Sequence, residues 1–221
     1  MKIAAGVLLV LFITGTAFGE GAGAKASPMG MSSDPKADAV RAYESGRRRL
    51  EKAGNIAGEL AENTDASKRE KLQRNLQKSL EGAAADFRAA VRNNPNLYQA
   101  YSELGFALRK LGKYSDSLAA YDKSLAIQPG FSPALEYRAE AYLGLNRIDE
   151  AKEAYAILFA GDRPRADVLF KAMEKWVEER RAAPGSIDAA QLEGFATWVE
   201  QRATIHATVG TTVKSSEVRS W

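Results

Sequence analysis

The sequence has no cysteine, one histidine and seven prolines in 221 residues. Without cysteine there are no disulfides, no thiolate nucleophile and no cysteine-based zinc site. The single histidine, His206, cannot build a metal site alone. A Ser-His-Asp arrangement would also depend on it, close to the chain end, which is poor ground for a preorganised triad. No Gly-rich phosphate loop is present. β-branched residues are sparse and alanine is abundant, so helix is expected throughout. An excess of one charge is missing too: 31 Lys and Arg stand against 28 Asp and Glu, a formal net charge of +3. Bulk charge therefore gives nucleic-acid binding no support. We expect no cofactor, no metal and no catalysis.

Long apolar runs are also lacking, with one exception at the N-terminus. Lys2 is followed by an apolar run from Ile3 to Ile13, then by small residues ending in Ala17-Phe18-Gly19. This is the three-part layout of a secretory signal peptide. The run is short against the roughly 20 residues that span a bilayer. Residues 1–19 are thus expected to be a signal peptide, cleaved after Gly19, with Ala17 and Ala24 as rival sites. An uncleaved N-terminal membrane anchor is the alternative. Export across the inner membrane, to the periplasm, is the expected localisation. Residues 20–33, rich in Gly, Ala, Ser and Pro, read as a flexible leader.

What the chain does have is a spaced pattern in residues 100–130. Large and small residues fall at Tyr101, Leu104, Gly105 and Leu108, and a turn follows at Leu111-Gly112-Lys113. Ser117, Tyr121 and Ser124 come next, and Pro129 closes the unit. Tyr101, Leu104 and Leu108 share one helical face. Gly105 and Ser117 let two helices approach closely, and Tyr121 fills the space above them.

The spacing resembles the tetratricopeptide repeat, with Leu108, Ser117 and Ser124 departing in type but not in size class. Thirty-four residues on, the pattern returns: Leu135, Ala139 and Tyr142 form a first-helix face, Asn146 marks the turn, and Ala151 and Tyr155 follow. Pro164 stands one place late. Upstream, Ala83, Phe87, Ala90 and Pro95 match the second-helix half in register. The matching first half lies further back, around Gly46, which predicts a repeat with an insertion and two long helices.

The resemblance implies an all-α fold of tetratricopeptide-type helical hairpins stacked into a short superhelix. The expected layout is a degenerate N-terminal helical pair over 34–95 and two repeats over 96–163. Capping helices follow over 164–206 and a flexible tail over 207–221. The first capping helix carries an apolar stripe through Leu169, Phe170, Met173 and Trp176. Ser186 or Asp188 is placed to cap the second.

The same resemblance implies a protein-protein interaction module or assembly adaptor. Its partner is a protein or peptide held in a concave groove lined by the first helices. The implied groove residues are Gln99, Ser102, Phe106 and Arg109 in one repeat and Glu136, Glu140 and Leu143 in the next. Phe106, an aromatic on a polar face, is the expected anchor, unless it packs under the N-terminal helices. The carboxylate clamp of chaperone-docking relatives is absent, because Ser102, Phe106, Glu136 and Glu140 occupy its places. An envelope enzyme with an unrecognised carboxylate site and a structural oligomer built through Trp198 remain the alternatives. Arg47-Arg48-Arg49 and Lys68, Arg69, Lys71, Arg74 and Lys78 form basic stretches on the N-terminal pair. Interspersed glutamates leave them either a solvated face or a weak contact with an anionic surface.

Overall fold

A computed structural model describes residues 34–209, the last five as backbone only. The signal-peptide and leader readings lie outside the described residues, as does the tail beyond Val209. The described chain is helical, with eight helices and no strand among the described residues. They are α1 (Pro35–Glu62), α2 (Ala66–Asn93), α3 (Tyr98–Lys110), α4 (Tyr114–Ile127), α5 (Ser132–Gly144), α6 (Ile148–Gly161), α7 (Arg163–Ala182) and α8 (Ala189–Val209). α8 runs to Val209, so residues 207–209 are helix where the sequence suggested tail.

Short connections make successive helices antiparallel neighbours. Each hairpin then packs its second helix on the first helix of the next, α2 on α3, α4 on α5 and α6 on α7. The first helices also touch in series, from α1 through α3 and α5 to α7. Backbone signals set the helix limits. Gly112 has φ +72° and Asn146 φ 57°, the left-handed conformations that end α3 and α5. Asp34, Asp65, Asp162 and Asp188 accept hydrogen bonds from the backbone N–H groups of Lys36, Lys68, Arg165 and Gln191. Asp188, rather than Ser186, caps α8.

The small residues work as the spacing requires. Tyr121 is fully buried, and a Cβ added to Gly105 would sit 2.5 Å from its ring. Ser117 and Ser124 are fully buried as well, and the Ser124 hydroxyl donates to the Tyr98 carbonyl at 2.9 Å. Tyr101 and Tyr142, expected in the core, are half-buried. In the first hairpin, Phe87 of α2 lies over Gly46 of α1 in the same way. That hairpin thus shares the glycine-under-ring contact of the next one, on longer arms of 28 residues each against 13 and 14.

The lengthening has a direct geometric consequence. Gly46 and Gly105 are matched by role, each under an aromatic ring of the second helix of its hairpin, and that contact is taken as a common level. From that level α1 runs on to Glu62, while α3 stops at Lys110. At 1.5 Å per residue the α1–α2 hairpin overhangs the end of α3 by about 16 Å.

Candidate functional site

The overhang encloses a groove of about 500 Å³. Its long wall is the outer part of α1, where Ala53, Gly54, Ala57, Gly58 and Ala61 follow one another at helical spacing. Leu50 of α1 and Leu76 and Leu80 of α2 line it beside them, and Phe106 and Lys110 at the end of α3 form the opposing step. Among the described residues of this lining, Lys110 is the charged one.

The Phe106 ring is held by its neighbours. Its centroid lies 5.3 Å from that of Tyr137. The Arg109 guanidinium carbon sits 5.4 Å from the Phe106 centroid and 5.8 Å from that of Tyr137. Lys110 Nζ lies 5.7 Å from the same Phe106 ring. Such cation–π and aromatic contacts fix the ring's orientation before any partner arrives.

The residues expected to line a concave groove divide sharply. Phe106 is half-buried and lines the groove, and Gln99 is half-buried. The other five are corrected by the structure: Ser102, Arg109, Glu136, Glu140 and Leu143 are all buried, Leu143 completely. The reason is that α3, α5 and α7 lie close enough for their facing side chains to meet. Arg109 of α3 pairs with Glu140 of α5. Glu136 of α5 pairs with Arg165 of α7 at 2.5 Å. Burial works against the charge on Arg109, but the Glu140 carboxylate and the Tyr121 and Tyr137 phenols together outweigh it, so the guanidinium pKa is raised. These charges tie the first helices together instead of facing solvent.

Several other sequence candidates are also structural. Arg49 pairs with Asp86 across the first hairpin at 2.8 Å. Arg69 donates to the Leu60 and Asn63 carbonyls at 2.7 and 2.8 Å, closing the end of α1. Trp198 is half-buried, stacked on Phe195 and edge-on to Tyr155. His206 lies within the backbone of α8, with its side chain outside the described ones. No group of three acidic or histidine residues that could hold a metal ion occurs among the described residues. No described helix is long and apolar enough to cross a membrane.

Sequence reasoning missed the groove's long wall. The signal was present in "EKAGNIAGELAE", where Ala-Gly pairs recur four residues apart, but small residues in a helix carry no chemistry of their own.

Residues 98–131 match the family described as Tetratricopeptide repeat. No curated protein matches the chain.

Proposed function

We propose that this tetratricopeptide-repeat chain is a non-catalytic protein-interaction module or assembly adaptor, exported to the cell envelope. A segment of its partner seats in the groove beneath the overhanging α1–α2 hairpin. Tetratricopeptide repeats in general mediate protein–protein contact. The observation that carries the more specific reading is the apolar groove itself, with a pre-oriented aromatic at its step. A step whose ring is already held in place loses little entropy when a partner docks, and a half-buried aromatic is a suitable anchor.

Photo-crosslinking in cells tests the site. A photoreactive residue at position 106 or 58 should capture one discrete partner protein, and one at exposed Ala119 of α4 should not. Capture from position 119 alone would sink the groove reading. The export reading rests on the layout of residues 1–19 and has a separate test. N-terminal sequencing of the mature protein should begin near Glu20; an intact Met1 with membrane retention would overturn it.

A further inference from the structure

From the distribution of charge over the helices we infer that the outer face of α2 docks on an anionic phospholipid bilayer. The inference is independent of the groove, and it takes its membrane from the export reading alone. The chain as a whole is close to neutral, with a formal net charge of +3. α2 departs from that balance, carrying seven Lys and Arg against three Asp and Glu. The corresponding second helices α4, α6 and α8 lean the other way, with one basic residue each against two, three and two acidic ones. α1 is mixed, six basic against five acidic, so Arg47-Arg48-Arg49 leaves little net charge there.

The fold sorts the α2 charges onto one side. Leu72, Leu80, Ala83, Phe87 and Ala90 turn inward and are buried. Lys71, Arg74, Lys78, Arg88 and Arg92 fall on the opposite side at helical spacing, and all five are exposed. Among the described residues Arg74 is ion-paired with Glu70, whereas Lys71, Lys78, Arg88 and Arg92 are in no ion pair. Asp86 is taken up by Arg49, and Glu81 accepts from Gln77 at 2.9 Å. From Lys71 to Arg92 the stripe is about 32 Å long. No aromatic side chain interrupts it, so it offers no stacking platform to single-stranded nucleic acid. Long cationic side chains in a row suit a broad sheet of negative charge, because each reaches a phosphate on its own. Leu76 and Leu80, which line the groove, lie on the other side of α2, so a docked stripe leaves the groove open. The α1–α2 hairpin is also the described part of the chain nearest in sequence to the apolar run Ile3–Ile13. It is the part that passage through, or anchoring in, a membrane would bring closest to lipid.

The test is co-sedimentation of the full mature chain with lipid vesicles. Vesicles of mixed phosphatidylglycerol and phosphatidylcholine should bind it, and pure phosphatidylcholine should not. Raising the salt should weaken the binding. A basic residue seated at an anionic surface contributes about fivefold to partitioning. Changing Lys71→Gln, Arg74→Gln and Lys78→Gln together should therefore lower partitioning by about tenfold or more. These residues are exposed and Gln matches their helix propensity, so the variant should keep its fold, which circular dichroism checks. Lys113→Gln, Lys123→Gln and Lys175→Gln remove the same charge from other helices or their caps and should leave partitioning nearly unchanged. No binding to the anionic vesicles, or equal loss from both triple variants, would overturn the stripe as a docking surface. Binding to duplex DNA or polyglutamate at the same salt, without binding to vesicles, would overturn the bilayer as its occupant. None of these outcomes alters what crosslinking from position 106 reads, so the stripe and the groove fail separately.

Discussion

Phe87 lies over Gly46 so closely that a Cβ there would sit 2.7 Å from the ring. The same relation holds between Tyr121 and Gly105 at 2.5 Å. Both rings are fully buried and have nowhere to retreat. Gly46→Ala and Gly105→Ala should each destabilise the fold by about 1–3 kcal/mol through overpacking. Urea unfolding measures this. An unchanged midpoint for Gly46→Ala would mean that the first hairpin is not built on the repeat's close contact.

Gly54 and Gly58 should behave in the opposite way. They occupy exposed, helical positions with open space above them. Replacing either with Ala should stabilise the chain by about 0.5–1 kcal/mol, the usual gain for Gly to Ala in a helix. If the groove is the partner site, the same substitutions should weaken capture, because each narrows the channel. Paired melts and crosslinking yields read both effects on one set of variants.

The buried Arg109–Glu140 pair should show strong coupling. Both side chains are almost wholly enclosed. Glu140→Met alone leaves a buried guanidinium without its carboxylate and should cost about 3–5 kcal/mol. Adding Arg109→Met should recover most of that loss, since a buried ion pair and an apolar pair of similar volume are often equivalent. A double variant no better than the single ones would show that the pair holds the α3–α5 contact for a reason beyond charge balance.

Alkaline pH should unfold the protein earlier than its surface charge suggests. Burial pushes the Tyr155 phenol up to about 12 and raises that of Tyr121 as well. In the unfolded chain both titrate near 10. Above pH 10 the folded state therefore holds more protons than the unfolded state, and stability falls as pH rises. Below pH 10 both states keep these protons, and the tyrosines contribute no pH dependence. Absorbance of tyrosinate against pH should show a folded fraction titrating late, and Tyr155→Phe should reduce it. A full tyrosine titration near pH 10 with the fold intact would contradict the burial.

The repeat was legible because its residues are obliged by packing. Gly105, Ser117 and Tyr121 must have those sizes for two helices to close, so spacing alone identifies them. Gly46 could be paired with Phe87 for the same reason, despite the insertion between them. The site was less legible. Arg109, Glu136 and Glu140 sit at positions where a polar residue suggests solvent, and only the packed first helices show that each has an opposite charge waiting inside. A one-dimensional pattern tells which face of a helix a residue is on, but not how near the next helix comes. Ala53, Gly54, Ala57 and Gly58 were overlooked for the reverse reason. Their use lies in the volume they do not occupy.

The two sides of the groove differ in stiffness. α3 is braced along the stack by Arg109–Glu140 and, one helix further, α5 is braced by Glu136–Arg165. Past the end of α3, the arms of the overhang have mainly each other to lean on. The groove is a vice with one fixed jaw and one sprung jaw, and the spring is the hairpin's own bending. Amide hydrogen exchange should be slow in α3 and α5 and faster towards the tip between Ala57 and Leu72. A captured partner should slow the tip while leaving the braced helices unchanged. Uniform exchange across both jaws would mean that the grip is a rigid slot rather than a clasp.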